Sequence, residues 1–117
     1  MLITKNLSHK YAGGKLLTYP DFNFNQGEHW LILGQSGCGK TTLLHLLGAI
    51  LKTQKGQIEI NDQNIGKLTN SELDNFRSKN IGIVFQRPHF LRALNVQENL
   101  LLAQKLCGLK PDIEAIL

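Results

Sequence analysis

Gly34-Gln35-Ser36-Gly37-Cys38-Gly39-Lys40-Thr41 is the stretch on which the fold turns. It fits the pattern G-x-x-x-x-G-K-[ST], and its flanks supply the context that pattern needs. Ahead of it, His29-Trp30-Leu31-Ile32-Leu33 is a short, nearly continuous apolar run, the form of a strand buried on both faces of a parallel sheet. Behind it, Lys40 to Leu51 places Leu43, Leu46, Leu47 and Ile50 on one helical stripe. Glycines let the backbone curl so that successive N–H groups face one concavity, a nest for phosphate oxygens. The helix N-terminus adds unpaired donors and partial positive charge. In such a loop Lys40 can reach the β- and γ-phosphates of a nucleotide, and the Thr41 hydroxyl can ligate magnesium. Thr42 belongs to the loop and suits back-support or packing, and Cys38 reads as a small loop filler. The plainer alternative is a glycine-rich strand-to-helix turn with no ligand. The strand before it and the helix after it favour the phosphate loop.

Around this centre the chain alternates short strands and helices. Leu2 to Leu7 reads as a strand, Gly13-Gly14 as a turn and Leu16 to Phe24 as a second strand, with Pro20 forcing an edge or bend in its first half. Gln57 to Ile60 alternates as a strand and closes at Asn61-Asp62. Thr69 with Glu72 has capping-box spacing and predicts a short helix through Arg77. Ile81 to Phe85 is another buried-type strand. Asn95 with Glu98 predicts a further helix with an apolar stripe of Leu100, Ala103, Leu106 and Cys107, ended by Gly108. Pro111 is placed to open one more.

The 117 residues make one small domain at most, and 42% hydrophobic against 19% charged is a globular composition, not a disordered one. No apolar run approaches the roughly 18 residues of a membrane span, and Met1 to Lys5 does not open a signal peptide. A net charge of +4 suits an anionic ligand. That charge is too mild to argue for nucleic acid on its own, and the basic residues are scattered with no run of five or six. Cys38 and Cys107 have neither disulfide-framework nor metal-ligand spacing. His9, His29, His45 and His89 read as surface or packing residues.

Taken together, these residues resemble the N-terminal part of an ABC-transporter nucleotide-binding subunit. Four stretches carry the likeness: Gly34 to Leu44, similar to the family's G-x-S-G-x-G-K-S/T-T-L-L; Tyr11, at the place of an adenine-stacking aromatic; Ile58 to Ile65, similar to the strand and turn after the first helix; and Ile81-Gly82-Ile83-Val84-Phe85-Gln86 with Val96-Gln97-Glu98-Asn99, similar to the Q-loop region. Leu68 to Gln86 is most similar to the subgroup serving lipoprotein release, macrolide efflux and cell division. The resemblance implies an α/β P-loop NTPase fold, with antiparallel N-terminal β-strands plus part of the parallel RecA-like core sheet and flanking helices. Residues 1–117 would form a partial nucleotide-binding domain, with the phosphate loop at 34–42 and the Q-loop near 86.

The cofactors implied are ATP and Mg2+. Tyr11, Gly34, Ser36, Gly37, Cys38, Gly39, Lys40, Thr41 and Thr42 would bind the nucleotide. Thr41 and Gln86 would serve the metal, and Lys40 and Gln86 the chemistry. Tyr11 has a plainer alternative as a strand-end tyrosine, and Gln86 as a polar residue ending a strand. Gln86 to Arg92 would face a transporter membrane subunit, and a second ATP-binding subunit would complete the site. No nucleic acid is expected. The expected location is cytoplasmic, peripheral on the inner face of the cell membrane when assembled.

The family's L-S-G-G-Q signature, its strand ending in Asp-Glu (Walker B) and its later switch histidine have no counterpart in these residues. The usual Pro after the first helix is replaced by Lys52-Thr53-Gln54-Lys55. A fragment is therefore expected, one that is marginal, oligomeric or rearranged unless other chains complete it, and that binds Mg-ATP weakly without turnover. The alternatives are a non-catalytic nucleotide-binding or interaction fragment, and a P-loop kinase or GTPase. Tyr11, the Q-loop and the lack of N-K-x-D argue against the last.

Overall fold

A computed structural model describes residues 1–87, 89–110 and 112. The helix expected to open at Pro111 lies outside them. The chain forms two compact units, Met1–Asp74 and Asn75–Leu117.

The first unit is built on an antiparallel sheet. Strand β1 (Leu2–Lys10) is central, with β2 (Leu16–Thr18) and β3 (Asn23–Phe24) along one edge and β4 (Lys55–Ile60) along the other; β5 (Gln63–Asn64) pairs outside β4. The single strand expected from Leu16 to Phe24 is thus two short ones on the same edge. Pro20 explains the break, since it has no N–H for a ladder. The gap is bridged by other donors: Tyr19 N–H donates to Leu7 O (3.0 Å), Asn6 N–H to the Asp21 carboxylate (2.7 Å), and Phe22 N–H to Thr4 Oγ1 (2.9 Å).

On the opposite edge β1 bulges between Lys5 and Ser8, where Asn6 turns to φ 49°. Gly56 faces that bulge at φ +93°, and a Cβ there would lie 2.5 Å from Asn6 O and 2.6 Å from Lys5 O. Only glycine fits the close approach. Asn61 and Asp62, both at positive φ, make the two-residue turn from β4 to β5, the geometry that Asn and Asp tolerate best.

Helix α1 (Lys40–Leu47) supplies buried Leu43 and Leu46, which with Leu7, Ala49, Ile58, Ile60 and Ile65 form the core of this unit. The helix stops four residues before the expected Leu51. Ala49 takes φ +56°, its N–H donates to Leu46 O (3.1 Å), and Ile50 N–H donates to His45 O (2.8 Å). These two bonds make a Schellman ending with alanine at the left-handed position where glycine is usual.

Helices α2 (Asn70–Asn80) and α3 (Val96–Leu106) begin at the expected caps. Thr69 and Glu72 bond reciprocally, as do Asn95 and Glu98. Helix α2 continues past Arg77 to Asn80, whose amide donates to Phe76 O at 2.9 Å. At the end of α3, Gly108 (φ +73°) closes a second Schellman motif through Leu109 N–H to Gln104 O. The expected apolar stripe of α3 does not become a buried face: no residue of α3 is buried.

The segments 29–33 and 81–85, expected as core strands, enter no ladder. A parallel strand is held by neighbours on its edges, and among the described residues none pairs with either segment. Their side chains are correspondingly open: Leu31 is 79% and Val84 101% exposed. The antiparallel part of the expected sheet is therefore formed, and the parallel part is not paired.

Candidate functional site

The expected phosphate loop leads directly into α1. Gly37 (φ +77°) and Gly39 (φ +101°) take conformations that L side chains rarely adopt. A Cβ at Gly39 would also stand 2.9 Å from the Tyr19 hydroxyl, and that hydroxyl donates to Gly39 O at 3.0 Å. At Gly34 a Cβ would meet Cys38 Sγ at 2.6 Å. The loop is thus fixed from inside by two small contacts, with Cys38 as filler and Tyr19 as clamp. Burial pushes the Tyr19 phenol pKa up, which keeps it a hydrogen-bond donor.

The helix that follows differs from the other two at its start. Helices α2 and α3 have side-chain caps and an acidic residue in the first turn, Glu72 and Glu98. Helix α1 begins at Gly39 with no side-chain cap and no acid in its first turn. Its leading N–H groups and partial positive charge are therefore left for a ligand. Lys40 Nζ reaches back across the loop, donating to Gly34 O and Gln35 O at 2.6 Å each, with Cys38 Sγ at 3.7 Å.

Beside the loop lies a cleft of about 460 Å³, lined by Tyr11, Gly14, Lys15, Leu17, Ser36, Gly37, Gly39, Lys40, Thr41 and Thr42. The fold thus brings Tyr11 from the end of β1 to the same cavity as six residues of the loop and first helical turn. Thr42 is buried, and its hydroxyl bonds the Tyr11 hydroxyl at 3.1 Å, so it ties the aromatic to α1. His9, also buried, stands edge-on to Tyr11 with ring centroids 4.6 Å apart. Thr41 is exposed and lines the cleft.

The lining holds two lysines and no carboxylate, a donor set that fits a polyphosphate and, through Thr41, a phosphate-bound Mg2+. No group of three or more His, Cys, Asp or Glu able to hold a metal occurs among the described residues. A metal here would therefore take most of its ligands from the nucleotide and water. Gly14, Lys15, Leu17 and Tyr19 were not legible as site residues. The sequence offers one pointer, the turn at Gly13-Gly14, which by itself does not tell that the chain returns to Tyr11.

Gln86 lies at an exposed bend of the second unit. In the same unit Phe90, Leu91, Arg92, Leu94, Val96, Asn99 and Leu100 line a pocket of about 270 Å³. Asn99 shapes its wall: the side-chain amide donates to Leu91 O, Leu94 O and Asn95 O, and its oxygen accepts from Leu91 N–H.

Residues 17–117 match the family model described as "ABC transporter". Among curated relatives, the lipoprotein-releasing system ATP-binding protein LolD of Colwellia psychrerythraea is 36% identical over 109 residues, 90% of this chain and 42% of that protein. The bacitracin export ATP-binding protein BceA of Halalkalibacterium halodurans is 41% identical over 99 residues, 80% of this chain and 39% of that protein. The ATP-binding cassette MJ0796, solved as a dimeric post-hydrolysis state bound to ADP and Pi, superposes with a TM-score of 0.84 at 30% identity, over 92% of this chain and 48% of that one. The chain spans about half the length of the relatives it matches. No helix among the described residues is long and apolar enough to cross a membrane.

Proposed function

The chain belongs to the ABC transporter family, and on that premise we propose that its residues bind Mg-ATP as the N-terminal part of a transport ATPase. In the whole protein, hydrolysis at this site would drive movement of a membrane partner. The observation that carries the reading is the uncapped start of α1 under a glycine loop, with Lys40 and Tyr11 on one cleft. Loop amides and the Lys40 ammonium take the β- and γ-phosphates, which compete with Gly34 O and Gln35 O for that ammonium. Tyr11, half exposed and held by Thr42, offers its ring to adenine. Gly34, Ser36, Gly37, Cys38 and Gly39 shape the cradle, Thr41 ligates Mg2+, and Gln86 serves the metal or the attacking water through an uncharged amide.

Two partners complete the proposal. A second ATP-binding subunit would close the site, a reading supported by the dimeric state of MJ0796. The region Gln86 to Arg92, with the apolar pocket beside it, would receive a membrane subunit. Likeness to LolD and BceA supports a place among exporters and release systems, peripheral on the inner face of the membrane.

Alone, these 117 residues are predicted to bind without turning over. Hydrolysis needs an acidic residue to position water and a further metal ligand, and the sequence carries no apolar strand ending in Asp-Glu. A calorimetric titration with Mg-ATP tests the reading. Heat of binding that disappears in Lys40→Ala, with no phosphate release by either protein, is the expected result. Turnover that is lost in Lys40→Ala would overturn the non-hydrolytic part, and an absence of heat in the unmodified chain would overturn the whole.

A further inference from the structure

We propose that Lys15 is a nucleotide-binding residue whose ammonium takes the α-phosphate of the nucleotide held between Tyr11 and the phosphate loop. The inference rests on the nucleotide reading above and adds a contact that the phosphate-loop pattern does not contain.

The placement comes from one tight turn. Gly14 N–H donates to Tyr11 O at 2.9 Å, and Gly13 takes φ +69°, so the chain reverses immediately after Tyr11. Gly14 is itself packed against Tyr11, where a Cβ would lie 3.3 Å from the carbonyl oxygen and 3.4 Å from Tyr11 Cβ. The ladder resumes with Leu16 opposite Lys10, which leaves 11–15 as the whole connection. Lys15 is thereby returned to the side of the cleft that Tyr11 occupies, and it lines that cleft together with Ser36, Gly37 and Gly39 to Thr42.

The two lysines of the cleft are used differently. The Lys40 ammonium is engaged by two carbonyls of its own loop. Lys15 is exposed, and among the described residues no carboxylate or carbonyl holds its ammonium. A solvated cation on a strand end is ordinary. A cation on the wall of a cleft without carboxylates, next to the ring proposed to carry the base, is placed for an anion. Lys40 serves the far end of the triphosphate, and the phosphate nearest the base is the α-phosphate. Because the contact is exposed, it is modest in size and sensitive to salt.

The test is to titrate the full chain and its Lys15→Gln and Lys15→Arg variants with Mg-ATP, Mg-ADP, AMP and adenosine. Binding is followed by amide chemical shifts, which report weak complexes. Lys15→Gln is expected to weaken ATP, ADP and AMP by a common factor of about five, the scale of one exposed charge-assisted contact. The factor should shrink at high salt, Lys15→Arg should recover most of the affinity, and adenosine should bind equally to all three proteins. Equal affinity of Lys15→Gln and the unmodified chain for the three phosphorylated ligands would overturn the assignment. So would weakening confined to ATP, which would place the contact at the γ-phosphate, or an equal loss for adenosine, which would mean that the turn and not the charge had changed. If the unmodified chain bound no nucleotide, the nucleotide reading would fail first and Lys15 with it.

Discussion

The two compact units reach order by different means. In Met1–Asp74, strand pairing on both edges of β1 is backed by seven buried apolar residues, Leu46 and Ile58 among them at 0% exposure. In Asn75–Leu117 the described residues bury one large hydrophobic side chain, Phe76, while Val84, Phe90, Val96 and Leu106 are each more than two-thirds exposed. Its helix α3 nonetheless carries complete hydrogen-bonded ends: a capping box and a glycine-closed Schellman motif. Local hydrogen bonding thus sets where a helix begins and ends without a core beneath it. The segments 29–33 and 81–85, expected as strands, have no such local device, because a strand's bonds must come from another strand.

That contrast can be broken most severely at Leu46. Leu46→Ala removes a fully buried side chain and is expected to cost about 2–5 kcal/mol. Hydrogen exchange should then speed up across β1 and β4, whereas α3, none of whose residues is fully buried, should exchange rapidly in both proteins. Slow exchange in α3 of the unmodified chain would contradict the contrast. Next in size is Gly56→Ala, which adds a Cβ against two backbone oxygens at positive φ and should cost on the order of 1–3 kcal/mol in a urea titration. An unchanged midpoint would mean that the bulge at Asn6 is not held closed by Gly56.

Smaller effects belong to the caps. Asn95→Ala should remove about 1 kcal/mol of helix stability and lower helical ellipticity, without weakening nucleotide affinity at the first unit. The smallest concerns Glu72, whose carboxyl is held below its ordinary range, first by the Thr69 backbone N–H and then by the Thr69 hydroxyl. A depressed carboxylate contributes its stabilisation above the unfolded value and loses it as pH falls through the folded one. The start of α2 should therefore loosen only in acid, and the Thr69 amide resonance should titrate with a midpoint below that of Glu72 in an unstructured peptide. A midpoint at or above the peptide's would contradict the cap.

The glycine loop that opens a helix at Lys40, the two capping boxes and the turn at Asn61-Asp62 were legible in the sequence because each is a local arrangement that a few adjacent residues determine. The early stop of α1 was not legible, because Ala49 occupies a left-handed position that glycine would have announced. The split of the strand after Leu16 was half legible: Pro20 signalled the bend, but the Asp21 carboxylate standing in for a ladder acceptor depends on the opposite strand. Tyr11 came from resemblance, and the structure adds its hydroxyl bond to Thr42. Lys15 and Tyr19 could not be read as site residues, since their places follow from how a turn closes and from the register of β2 on β1.

The central claim is that main-chain amides at the start of α1 grip a nucleotide's phosphates. Amide resonances of Gly34 to Thr42 recorded with and without Mg-ADP test it most directly. The account predicts large shifts and slowed exchange over that stretch and at Tyr11, both abolished by Lys40→Ala. Shifts elsewhere with none in that stretch would contradict it.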